Sequence, residues 1–327
     1  MKKLLLVVIS GALMLPFTSC KKDGIYTPGK KIDKIYQEVD EVVYDGDEDE
    51  YVPTGKKKTV LTENWLWDGN LLKEQEEYYY DEDDGDYFLD NRYQFTYDKN
   101  RLVRVMMTCE EPTCFHGSWV YAYNGNKLDK IINDYGVEIS FVYDKNKLSE
   151  INYSGSYGGG SRSIAPAEVM APLAMVLDNN VFACLKADET LVSELAACVS
   201  NTQKARVGGN GSIKIALEWK GKNISQMTFS SPGMSENYVM TMSYDKKINP
   251  FRGLLFNMSL NYATTGAEAL MYSANNVTEV TYTIGSAYTY TTTIEYEYDG
   301  QYPTKETQKN TYNGQTSDPK VRYIHYK

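Results

Sequence analysis

The chain has 327 residues, 42% of them hydrophobic and 24% charged, and a formal net charge of −10. Such a composition excludes a disordered chain. An acidic surface of this kind repels phosphate backbones and anionic lipid heads, so neither nucleic acid nor charge-driven membrane binding is expected.

Residues 1–20 read as an address. Lys2 and Lys3 precede an apolar run from Leu4 to Phe17, the pattern of a secretory signal peptide and too short to serve as a membrane span. Its end, Phe17-Thr18-Ser19-Cys20, resembles a bacterial lipobox, with Phe17 where leucine is usual. The resemblance implies lipidation of Cys20, first on the thiol and, after cleavage, on the new amine. Several acyl chains, at about 0.8 kcal/mol per buried methylene, make such an anchor effectively permanent. Lys21 follows the cysteine where an aspartate would mark retention at the inner membrane. The expected location is therefore the outer membrane, with the leaflet open.

Residues 21–327 read as a single β domain. The 29 tyrosines favour strands, where the ring packs and the hydroxyl stays wet. Two acidic stretches, 38–51 and 76–90, gather oxygen ligands. Counting a calcium loop from Asp81 nevertheless puts the glycine one position early, so both read as solvated hairpin loops. Between and beyond them a six-residue unit recurs. Tyr97-Asp98-Lys99-Asn100-Arg101-Leu102 returns as Tyr143-Asp144-Lys145-Asn146-Lys147-Leu148, with relatives at 67–72, 123–128, 219–224 and 298–303 and a copy one residue shorter at 244–248. An aromatic, then Asp or Asn, turn formers and an aliphatic is hairpin chemistry, read here as the longer-loop kind. Before the turns the residues alternate: Tyr93, Phe95 and Tyr97 oppose Arg92, Gln94 and Thr96. After them the aliphatic pair is three apart, Leu128 with Ile131, which a bulge just past the turn reconciles.

Four cysteines remain besides Cys20. An oxidising envelope permits Cys109–Cys114 and Cys184–Cys198 bridges, the pairings nearest in sequence, with free buried thiols as the alternative. Glycine clusters at 154–161 and 208–212 bracket a segment in which Leu191, Val192, Leu195, Ala196 and Val199 recur at helical spacing behind Asp188 or Thr190. Residues 164–205 are thus expected to form a mostly helical insert packed on, or plugging, the sheet; a partner groove is the alternative. Later, Tyr288, Tyr290, Thr292, Ile294, Tyr296 and Tyr298 share one face, opposite Thr289, Thr291, Thr293, Glu295 and Glu297.

The hairpin units resemble the YD repeats of large secreted β-shell proteins. The whole plan resembles more closely a family of uncharacterised lipoproteins of gut Gram-negative bacteria with a porin-like fold. It comprises the lipobox, the Tyr-Asp hairpins, YDKKINPF at 244–251, NNVTEVTYT at 275–283 and YEYDGQYPTK at 296–305. That resemblance implies an architecture and carries over no functional residue except Cys20.

Chemistry is sparse. There are two histidines, His116 and His325, and no nucleophile-elbow, zincin or phosphate-loop motif. No catalytic residue, metal or cofactor is expected. Tyrosine faces suit a packed interior better than hydrocarbon, where each hydroxyl would lack a partner. The expectation is an all-β antiparallel meander of hairpins, curled or barrel-like, with the helical insert. It is held to the membrane by its lipid anchor and serves non-catalytic binding, of a glycan or an envelope protein, or scaffolding at the cell envelope. The alternatives are a glycan hydrolase acting through acidic loop residues and a pore-forming barrel.

Overall fold

The computed structural model describes residues 22–45, 50–81, 87–109, 117–134, 136–155, 211–230, 237–255, 271–284, 288–312 and 314–327. The strands in chain order are β1 (Ile32–Asp45), β2 (Glu50–Asp68), β3 (Leu71–Tyr80), β4 (Tyr87–Asp98), β5 (Arg101–Cys109), β6 (Gly117–Asn124), β7 (Lys127–Asn133) and β8 (Val137–Asp144). They continue as β9 (Lys147–Gly155), β10 (Gly211–Lys220), β11 (Asn223–Ser230), β12 (Tyr238–Tyr244), β13 (Val277–Ile284), β14 (Tyr288–Asp299), β15 (Tyr302–Tyr312), β16 (Gln315–Thr316) and β17 (Lys320–Tyr326). Each strand from β1 to β15 pairs antiparallel with the next, β15 also reaches past the two-residue β16 to β17, and β17 pairs with β1. Setting β16 aside from the seventeen leaves a closed barrel of sixteen strands, which removes every sheet edge.

Closure by strands alone corrects the expected fold class. β9 pairs directly with β10 from Glu150↔Ala216 to Gly155↔Gly211, so the chain on either side of the expected insert is already joined within the wall. Residues 164–205 lie outside the described residues, and the helical insert has no support. Among the described residues helical geometry is confined to Met271 and Tyr272. Apolar periodicity by itself does not separate a helix from another apolar segment.

The recurring unit forms the turns of one barrel end. Its loops hold two residues, not the longer loop expected, because the flanking Asp and aliphatic are themselves paired, as in Asp68↔Leu71, Asp98↔Arg101 and Asp144↔Lys147. Lys99, Asn100, Lys145 and Asn146 all take positive φ, the primed-turn geometry that matches strand twist. The bulge is present just past each turn: register shifts between Ala122 and Tyr123, opposite Leu128, leave Asp129 extra, and Leu128 and Ile131 are both buried.

Conserving the unit's spelling from hairpin to hairpin has a physical basis in contacts between neighbours. Four of the aromatics donate to the main-chain carbonyl of an aliphatic in the preceding strand pair: Trp67 to Ile32 at 2.7 Å, Tyr97 to Leu72 at 2.8 Å, Tyr123 to Leu102 at 2.6 Å, Trp219 to Leu148 at 2.6 Å, whereas Tyr143 and Tyr298 donate to the carboxylates of Asp23 and Asp245. The basic residue beside that aliphatic reaches back. Arg101 lies 3.6 Å over the Tyr123 ring and donates to the Gly125 carbonyl at 2.7 Å; Lys127 does the same to Tyr143 and Asn146, and Lys147 to Trp219 and Gly221. These hairpins are thus latched each to the next at the end where the strand ladders stop.

Two chain segments close this end. Asp23 donates its N–H to the Asn126 carbonyl, its carbonyl accepts from Arg101, and its carboxylate accepts from the Leu128 N–H and the Tyr143 hydroxyl. Gly24 has φ of +81°, and a Cβ there would collide with the Tyr123 hydroxyl. Tyr26 packs on Trp65 and Trp67 and donates to Pro250. The short copy at 244–248 makes no hairpin. Lacking one residue, it launches the second segment, in which Asp245 accepts from the N–H groups of Lys247 and Asn276 while Phe251, Leu254 and Leu255 enter the core. Inward side chains from around the wall belong to one buried core cluster with this plug, among them Trp65, Leu72, Phe95, Val105, Tyr121, Ile131, Ile151, Met227, Met240 and Val280.

The barrel interior as candidate functional site

Alternation along the strands gives the wall two chemistries. On β14, Tyr290, Thr292 and Ile294 are buried, whereas Glu295 and Glu297 are exposed. The outer face carries ion pairs between adjacent strands around the circumference: Lys57–Asp40, Arg92–Glu76, Lys130–Glu138, Lys214–Glu150 and Lys305–Glu297. Hydrocarbon would strip water from these charges, at several kcal/mol for each unsatisfied group, roughly. Exposed apolar and aromatic side chains, among them Tyr79, Phe88, Val120 and Val142, are interspersed with these pairs.

Most of the buried polar side chains of the wall gather on one arc, β14–β15–β17–β1–β2–β3; Ser118 on β6 and Asn249, Ser273 and Asn276 between β12 and β13 lie off it. Thr292 donates to Asn310, and Gln308 donates to the same amide oxygen. Arg322 and Glu306, opposite each other across β15 and β17, form a buried ion pair at 2.6 Å. Further round, Glu63 is fully buried, its Oε2 accepting from Trp65 Nε1 and Gln75 Nε2 at 2.9 Å each. Directly opposite it on the ladder stands Glu77. Glu77 Oε2 accepts from the Tyr93 hydroxyl at 3.0 Å, and its Oε1 is buried with no hydrogen-bond partner. Burial first, then the Glu63 carboxylate beside it, push the Glu77 carboxyl up to about 8. Tyr93 is raised by the same burial and by Glu77. The rest of the interior, β5 to β13, is mainly apolar and aromatic, with Met107, Trp119, Leu217, Phe229, Met242 and Tyr282 buried and Tyr153 and Tyr238 half-buried.

Two carboxylates facing each other, one with a raised pKa, meet part of what a glycosidase needs. Glu63 does not meet the rest: with no exposed surface and two donors on one oxygen, it is fixed by the barrel and closed to a substrate. Its role is to hold Trp65 and Gln75 in place.

The structure distributes the sequence's candidates as follows. Cys20, Cys114, Cys184, Cys198 and His116 lie outside the described residues. Cys109, at the end of β5, is disulfide-bonded. His325 is exposed, its ring tilted against that of Tyr36 with centroids 4.9 Å apart, on the outer face and away from the interior arc. The acidic stretches are mainly strand: residues 38–45 belong to β1 and 76–80 to β3. Among the described residues no group of three or more His, Cys, Asp or Glu is placed to hold a metal ion.

The interior arc is what sequence reasoning missed. A signal was present in 62–67, where Glu63 falls in phase with Trp65 and Trp67, an acid on an aromatic face.

No family model matches the chain, and no curated protein matches it. Among solved structures it is similar to a porin-like protein from Bacteroides uniformis ATCC 8492, at 12% identity over 93% of this chain and 100% of that one, with a TM-score of 0.46. A porin-like protein from Bacteroides vulgatus ATCC 8482 is similar at 9% identity over 91% and 99% of the two chains, with a TM-score of 0.34.

Proposed function

We propose that the protein is a lipid-tethered barrel of the outer membrane that binds a ligand and catalyses nothing. The observation that carries this reading is the orientation of the wall: ion pairs outside, core inside, and a plug across the turn end. Barrel closure, which a pore also requires, is present; the charged outer face and the filled turn end favour a cup standing in water. The tether rests on the lipobox resemblance at Cys20. The interior supports a carbohydrate as the ligand class: it holds aromatic rings, amides and, at Glu77, a carboxyl oxygen without a hydrogen-bond partner, groups of the kind that stack on sugar faces and bond their hydroxyls. Screening the protein against dietary and host glycans tests it. Binding that falls tenfold or more with Glu77→Ala supports the carbohydrate reading; silence across both sets ends it.

A further inference from the structure

Net charge hides an asymmetry between the two barrel ends. At the turn end, Lys99 and Lys145 occupy the first loop position of their turns, Lys220 and Lys222 flank Gly221, and Lys22 and Lys246 sit on the closing segments; all six are exposed. None of the six has an ion pair among the described residues. Asp68, Asp98 and Asp144 share this rim, while Asp299 is neutralised by Lys30 and Asp33 by Lys327. In sequence, the connections between β1 and β2 and between β3 and β4 are acidic, with Asp47, Glu48 and Asp49 in the first and Asp81 to Asp86 in the second; residues 46–49 and 82–86 lie outside the described residues.

The first described residues, Lys22 and Asp23, lie on the basic side. Only Lys21 and Lys22 separate Cys20 from Asp23, and Asp23 is held by four hydrogen bonds to Asn126, Arg101, Leu128 and Tyr143. Three residue steps reach at most about 11 Å. The headgroup layer is itself roughly 5–8 Å deep on each side. A lipidated Cys20 cannot place its acyl chains in hydrocarbon unless the turn end rests on the headgroups.

From these two observations we infer that the turn end is a membrane-docking face for anionic phospholipid headgroups, which stands the barrel upright with its acidic loop end away from the bilayer. The inference rests on the lipid tether proposed above. Each lysine near an anionic surface contributes on the order of 1 kcal/mol, and the effect fades within a Debye length of about 8 Å. The tether supplies the affinity; the rim supplies the orientation.

The test is lysine footprinting of the mature protein with a membrane-impermeant amine reagent, read residue by residue by mass spectrometry. The protein is measured on vesicles of phosphatidylethanolamine and phosphatidylglycerol, on phosphatidylcholine vesicles, and as an acyl-free Cys20→Ser form in solution. On anionic vesicles Lys99, Lys145, Lys222 and Lys246 label at least threefold more slowly than in solution, while Lys56, towards the loop end, keeps its rate. The protection is weaker on phosphatidylcholine and is reduced by combined Lys99→Glu, Lys145→Glu and Lys246→Glu. If intact mass shows an acylated Cys20 but the rim lysines label as fast on vesicles as in solution, the docking face is overturned and the tether stands. A mature chain without acyl groups overturns both.

Discussion

Glu77 is the carboxylate whose chemistry is moved far from its ordinary state. Its carboxyl titrates at 4.5 in an unfolded chain and at about 8 in the barrel. Between these values the folded state holds the proton that the unfolded state has lost. Stability therefore falls as pH rises through that window, by up to about 1.4 kcal/mol per unit, and the slope levels above 8. Glu77→Gln keeps the acceptor for Tyr93 and removes the titration, so urea midpoints of the variant lose this slope, and its advantage over the parent grows from pH 5 to pH 8. Equal slopes would show that Glu77 ionises in the barrel as it does in water. Arg322 gives a second case. Arg322→Ala leaves Glu306 buried without its partner and costs about 3–5 kcal/mol in unfolding measurements, whereas removing both, as Arg322→Met with Glu306→Leu, costs far less. Neither position was legible beforehand. In a chain with 44 acidic residues, a carboxylate acquires meaning only when register sets it opposite another. Glu63 faces Glu77 because β2 and β3 pair through a two-residue turn and one bulge.

At the scale of elements the sequence was most informative where its repeats carry local chemistry. Turn positions, strand alternation and the bulge after each turn follow from the six-residue unit, because Asp, Asn and Gly bias the backbone locally and period two assigns the faces. Loop length was misread, since pairing of the flanking Asp and aliphatic is a ladder property. The latch between hairpins was not legible at all: it joins residues of different hairpins, and its meaning needs their neighbourhood in the barrel. It carries a prediction. Arg101→Ala removes the contact over Tyr123, the bond to Gly125 and the bond to the Asp23 carbonyl, and destabilises by roughly 1–2 kcal/mol in equilibrium unfolding. Asp129→Ala, on an exposed bulge of the next hairpin, stays within about 0.5 kcal/mol. If the two variants unfold alike, the latch contributes nothing and the repeat reflects turn chemistry alone.

For the whole molecule, closure and the plug decide what the barrel is. All-β character and inward tyrosines were readable from alternation, and Tyr290 and Ile294 do face the core. Closure was not, because the pairing of β1 with β17 joins the two ends of the described chain, and no local pattern announces it. The helical insert shows the limit from the other side: a periodic stripe was assigned a role in covering the sheet, yet the wall is continuous between β9 and β10. The central claim is that this barrel turns its charges to water and its core inward. Producing residues 21–327 without the acylated cysteine, and without any detergent, tests that claim most directly. The account predicts a dispersed protein that keeps its β spectrum, unfolds cooperatively and gives a flat trace in planar bilayers. A chain that stays folded only in detergent micelles and opens stepwise conductance would contradict it.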